Sequence, residues 1–398
     1  MGDHVRRSLL RHVFMLMMLH GAAIWGFSSW EARGQSPLSP TQSGRRGELF
    51  PTHAPTPHQP VPLSHFSEAW RAPLGSALSG ALVATSQQIF ATLESGGVVA
   101  LAPDDGHTIW KQELGAKPVG GPVLSGSVMV QAGQEGEVAA WSLDGKEAWR
   151  ENLADPILHP PTGTRESVLL TLASSKLVSL HIDGSQQWSA DLLAPASAPP
   201  AACRGFVVVG TEKGTVEAFA RDTGKSLWVA KTGAAVVSPF LCYRGAIYFG
   251  TADNRMWALK YSGRKMWRYP AGARCAARPF GLGERVYFPS FDNYIYCLNA
   301  GSGNLVLRVR LSHRLLDDML VGDDRLYVSP FTFGRLSSLS LPDLIMAGEY
   351  RLDLEGDWFT SAPVRAGDLL CIGYGRYEGR VLALKETLEE PQAGKDRP

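Results

Sequence analysis

The 398-residue sequence has almost no surplus of charge, with 39 Lys and Arg against 38 Asp and Glu. Without residues 1–34 the body carries a net −1. No basic stripe is present, which argues against nucleic acid as the main partner. Cysteine is scarce. The five residues Cys203, Cys242, Cys275, Cys297 and Cys371 form no CxxC and no adjacent pair. Neither a zinc site nor a disulfide framework is readable from them, and they read as small buried strand residues. None precedes Cys203, so a lipoprotein cleavage box is missing. There is no glycine-rich phosphate loop, no helical period in the body and no Trp-Asp dipeptide. His107, His159, His181 and His313 fall in unrelated registers and suggest no zinc or triad geometry.

What the sequence does have is a repeat. The stretch AWSLDGKEAWRENL, residues 140–153, runs from an alternating apolar segment through Asp144-Gly145 to Trp149. The same spacing takes Gly106 to Trp110, Gly184 to Trp188, Gly224 to Trp228, Gly263 to Trp267 and Gly303 to Leu307. Trp70 opens the series and Tyr350 ends it. The steps between these positions are 40, 39, 39, 40, 39, 40 and 43 residues. A fixed period in this range is the signature of a repeat architecture.

Ahead of the repeat, residues 1–34 have the form of an export signal. Arg6, Arg7 and Arg11 precede an 18-residue run, Val13 to Trp30, without Asp, Glu, Lys or Arg. Ala32-Arg33-Gly34 then offers small residues for cleavage. An uncleaved membrane anchor is the alternative. Residues 35–65 form a proline-rich segment expected to be an extended, disordered linker. Residues 66–386 form the repeat array, and residues 387–398 a polar tail expected to be disordered.

Each repeat divides into four short strands. In the fifth these are 238–241, 247–250, bounded by glycines, 255–259 and 265–268, with Ser262-Gly263 as the tight turn before the last. Pro122, Pro161, Pro200, Pro239, Pro279 and Pro363 mark the first strand, where a missing N–H suits an edge. The last unit has three strands, 360–364, 369–373 and 380–384, and no tryptophan strand after them. Trp70 lies on a fourth strand with no partners before it. The expectation is an all-β, eight-bladed β-propeller of four-stranded antiparallel blades, its N-terminal strand closing the C-terminal blade. Trp70, Trp110, Trp149, Trp188, Trp228 and Trp267 are its structural repeat residues.

The segment from Ala218 to Trp228, AFARDTGKSLW, with its copy from Ala100 to Trp110, resembles the tryptophan-docking repeat of quinoprotein (PQQ-type) propellers. The resemblance covers about residues 66–386. It implies one of two functions. One is a PQQ-dependent oxidoreductase. The other is a non-catalytic envelope propeller of the BamB type, which assists outer-membrane β-barrel assembly. Size, blade number, export signal and strand closure match the BamB type; the missing lipobox cysteine departs from it.

The quinoprotein reading calls for a metal held by carboxylate and amide oxygens, an acidic base and, in methanol dehydrogenase-like enzymes, adjacent cysteines. Asp253-Asn254 and Asp292-Asn293 are the candidate metal pairs, but both fall at one hairpin register where Asp and Asn are turn formers. Asp317-Asp318 and Asp323-Asp324 form an acidic cluster on what is expected to be a solvated face. No catalytic, cofactor or metal residue is therefore assigned. The expected protein is a monomeric, exported, non-catalytic scaffold of the periplasm or envelope that binds a protein partner. A PQQ oxidoreductase or a ligand- or glycan-binding sensor are the alternatives. The partner site is expected on the rim of blades 7 and 8, where Phe331, Phe333, Trp358, Phe359, Tyr374, Arg376 and Tyr377 gather. The competing reading is that these rings pack beneath their own loops.

Overall fold

The computed structural model describes residues 61–312, 319–329, 334–353 and 357–389. The expected export signal, the linker up to residue 60 and the tail from residue 390 lie outside them. So do Phe331, Phe333, His313, Asp317 and Asp318.

Eight four-stranded antiparallel sheets make the propeller. Blades 1 to 7 span residues 83–113, 123–152, 162–191, 201–231, 241–270, 280–310 and 320–351. Blade 8 takes three strands, Val364–Ala366, Leu369–Tyr374 and Arg380–Glu389, from the end of the chain. Its outer strand is Leu63–Pro73 from the beginning. The last blade is thus completed by the first strand, and both strands of this junction run longer than the sequence suggested. Ser64 pairs with Leu388 and Leu63 with Glu389. The closing ribbon therefore takes in residues assigned to the linker at one end and to the tail at the other, because each supplies the other's backbone partners.

The second and third strands of a blade have neighbours on both faces, so they read as continuous apolar runs. Ala246–Thr251 is buried throughout, and so are the middle four residues of Arg255–Lys260. Outer strands alternate between buried and exposed, as in Lys265–Pro270. The described core is divided into eight clusters, each shared by two adjacent blades. One of them joins Trp70 and Ala72 to Leu101 of blade 1 and Cys371 of blade 8, so closure is sealed by packing as well as by the ladder.

The tryptophans bind the blades together. Trp70, Trp110, Trp149, Trp188, Trp228 and Trp267 each donate the indole N–H to a carbonyl in the third-to-outer turn of the next blade. The acceptors are Pro103, Leu143, Ile182, Arg221, Tyr261 and Ala300, at 2.6–2.9 Å. The turn glycine lies against the ring. A Cβ on Gly145 would stand 2.6 Å from Trp110, and the glycine's φ is +85°. Close approach and backbone conformation both require glycine there. Burial of such a ring contributes roughly 2–3 kcal/mol, and its hydrogen bond about 1 kcal/mol.

Three expectations need correction. The repeat position in blade 7 is Gly348, not Tyr350. Gly348 pairs with Ser338 as Trp149 pairs with Ala140, each beside a bulge. The last step is therefore shorter than the 43 residues counted to Tyr350. The prolines stand just before the inner strands rather than in them. Pro122 precedes Val123–Ser125 and Pro363 precedes Val364–Ala366. These strands hold only two or three residues, so proline caps them where no ladder N–H is needed. Finally, Cys203 and Cys242 form a disulfide between blades 4 and 5. They are 39 residues apart, one less than the 40-residue step between these inner strands, so they sit one register position out of phase on neighbouring blades, with Cα atoms 5.6 Å apart. Cys275, Cys297 and Cys371 are buried free thiols; Cys297 and Cys371 lie on strands as expected, and Cys275 lies in the connection between blades 5 and 6.

Candidate functional site

Four antiparallel strands place the inner-to-second and third-to-outer turns at one end of a blade. The second-to-third hairpin and the connection to the next blade lie at the other. Blade 8 presents Trp358 and Phe359 on its incoming connection, and Tyr374, Arg376 and Tyr377 where the second strand turns into the third. All five belong to this second end.

The structure sorts them into two groups. Phe359 and Tyr374 are each 1% exposed and pack with Leu336, Leu370, Ile372 and Leu382 in the core between blades 7 and 8. They also bridge one another across the backbone, as Val236 and Thr251 do in blade 5. This is a structural position of the repeat, so Phe359 and Tyr374 are core residues and not surface anchors. Burial raises the Tyr374 phenol above its ordinary value, while Arg71 over its ring opposes that shift.

Trp358, Arg376 and Tyr377 form the second group. The Arg376 guanidinium carbon lies 5.3 Å from the Trp358 ring centre and 5.1 Å from that of Tyr377. Trp358 is half-buried, Arg376 is exposed and Tyr377 is 69% exposed. A planar cation between two aromatic faces is held in place, yet stays open to an incoming group. The loops beneath are tied together. Gly375 N donates to Trp358 O at 3.1 Å, and Thr360 N to Gly373 O at 2.8 Å. Arg380 reaches Asp357 at 3.0 Å and Glu378 at 3.4 Å, clamping connection to hairpin. This clamp was not read from the sequence. The charge pattern of Asp357, Glu378 and Arg380 was the available signal.

The carboxylate–amide pairs behave as turn formers. Asn254 and Asn293 have φ of +60° and +70°. Asp253 accepts from Arg255 at 2.9 Å, and Asp292 from Tyr296 at 2.6 Å. Among the described residues no three His, Cys, Asp or Glu stand together as a metal-binding set. Both carboxylates are thus engaged by side chains of their own hairpins.

A family model described as outer membrane protein assembly factor BamB matches residues 94–191, 173–281 and 262–343. The chain belongs to the BamB family. Among solved structures, BamB from Moraxella catarrhalis is similar at 16% identity and a TM-score of 0.66, over 84% of this chain and 100% of that one. The computationally designed protein Ika8 is similar at 13% identity and a TM-score of 0.68, over 79% of this chain and 98% of that one. The quinohemoprotein alcohol dehydrogenase ADHIIG from Pseudomonas putida HK5 is similar at 11% identity and a TM-score of 0.64, over 84% of this chain and 78% of that one. At these identities the likenesses show the BamB-type fold alone, which a designed protein and a dehydrogenase share. Among curated proteins no sequence matches the chain.

Proposed function

We propose that the protein is a non-catalytic scaffold of the cell envelope that holds a protein partner during outer-membrane β-barrel assembly. Membership of the BamB family is the observation that carries this reading. The Trp358–Arg376–Tyr377 cluster supports it with the composition of an interface anchor: two aromatics and an arginine on a rim. Export to an oxidising compartment is supported by the Cys203–Cys242 disulfide, since such bonds persist outside the reducing cytosol. The test is crosslinking in intact cells from a photoreactive group at position 377. Recovery of a subunit of the barrel-assembly machinery is expected. Recovery of none, or undiminished recovery in Trp358→Ala, would sink the assignment.

A further inference from the structure

The first seven blades link their third strand to their outer strand by a turn; blade 8 has no such turn, because its outer strand comes from the N-terminus. What the missing turn would have satisfied is visible in blades 5 and 6. Tyr248, third in its strand, donates its hydroxyl to Ala300 O of the next blade's turn at 3.1 Å. Tyr287, at the same register of blade 6, donates to Pro342 O at 2.8 Å. Its neighbour Arg285 reaches the same turn, 2.9 Å from Asp343 and 3.3 Å from Pro342 O.

Blade 7 repeats this pair as Arg325 and Tyr327, but no turn meets it. Tyr327 instead donates to the Glu386 carboxylate and accepts from Arg365 at 2.9 Å. Arg325 gives one N–H to Pro62 O at 2.8 Å. A cavity of about 490 Å³ remains, lined by Leu320, Arg325, Tyr327, Arg365, Glu386 and Leu388 among others. Arg325 is 2% exposed; its Nε stands 3.6 Å from the Asp324 carboxylate, an ion pair too long for a hydrogen bond, and neither Nε nor Nη1 has a hydrogen-bond partner among the described residues. Glu386 Oε1, in the same lining, has none either among the described residues. Buried donors and acceptors left this way are costly, and a ligand that matches them recovers that cost. The mouth is apolar at Val321 and Leu388, which are 38% and 53% exposed. Asp323 and Asp324 also line it.

We propose that this cavity is a docking socket for a turn of a partner polypeptide. Arg325 Nη1, a donor without a hydrogen bond, and Glu386 Oε1, an acceptor without one, belong to the lining of one cavity and together complement a peptide group, whose C=O would face Arg325 and whose N–H would face Glu386. The turns at the equivalent junctions are polypeptide of this kind. Asp323, with Asp324, which pairs with Arg325 yet stays exposed, favours a partner segment with basic side chains over an acidic one. The socket opens at the end of blade 8 opposite Trp358 and Tyr377, so it is separate from the rim proposed above.

The probe is a cyclised, fluorescently labelled peptide with the sequence of residues 260–265, a basic third-to-outer turn of this chain, titrated into the full-length protein. Saturable binding is expected, weakened ~10-fold by Glu386→Gln and by Asp324→Lys and unchanged in Tyr377→Ala. A photoreactive residue at position 321 should crosslink to the peptide. No saturable binding, or binding indifferent to Glu386→Gln and Asp324→Lys, would overturn the proposal. A crosslink from position 321 to this chain's own residues before Pro62 would overturn it too, by making the occupant internal.

Discussion

Ser64 of the first strand lies so close over Gly348 that a Cβ on the glycine would run into its carbonyl oxygen. The Ser64 hydroxyl also meets Ser338, the strand partner of Gly348, at 3.0 Å. Gly348 holds the register that carries tryptophan in six other blades. There the ring docks on a turn of the next blade. Here the closing ribbon packs directly on the backbone and leaves no space for a side chain.

Restoring the repeat residue should therefore do harm. We expect Gly348→Trp to destabilise the protein by about 2–3 kcal/mol or more through overpacking. Chemical denaturation reads this directly, and an unchanged or higher midpoint would contradict the packing of Ser64.

The Cys203–Cys242 bond closes one blade-length of chain. Loss of such a link costs ~2–4 kcal/mol. Cys203→Ser combined with Cys242→Ser should lower the unfolding midpoint accordingly, and a reductant should lower that of the native protein but not that of the variant. Cys275, Cys297 and Cys371 should resist a thiol reagent until the chain unfolds, since all three are buried. Their rapid labelling under native conditions would refute the burial.

Burial pushes the Cys275 and Cys371 thiols from 9.0 up to about 12, and the Tyr248 hydroxyl from 10.0 up to about 12. The folded state holds these protons more tightly than the unfolded chain does. The stabilisation is complete below the unfolded values and is lost as pH rises through about 12. The denaturation midpoint should hold level up to about pH 9 and fall above it. Cys275→Ala with Cys371→Ala should make the fall shallower; an equally steep fall in that variant would assign it elsewhere.

At the rim, Trp358→Ala with Tyr377→Ala should weaken partner capture by roughly 2 kcal/mol or more, with the unfolding midpoint nearly unchanged. Tyr374→Ala should instead lower the unfolding free energy by about 3 kcal/mol or more, and the midpoint with it, because that ring is core. Normal capture by the double variant would place the partner site elsewhere.

The sequence by itself determined the ring. A glycine four residues ahead of a tryptophan needs a positive φ and a flat ring to receive, and that requirement recurs in phase. Blade count, strand order and N-terminal closure follow from it, because an unmatched strand at each end leaves one pairing. The sequence also gathered Trp358, Arg376 and Tyr377 on one rim, since hairpins and connections alternate between the ends of a blade. Only the tertiary structure decided what depends on contact between blades. Phe359 and Tyr374 look like their exposed neighbours in composition, but a bridge within blade 8 and packing against Leu336 of blade 7 draw them into the core. Two cysteines 39 residues apart mean little until neighbouring inner strands bring their Cα atoms within 5.6 Å. Gly348 and the Arg325 cavity belong to the junction where the chain's two ends meet. A local repeat carries no record of what its neighbour lacks, so what the missing turn leaves behind had to come from the fold.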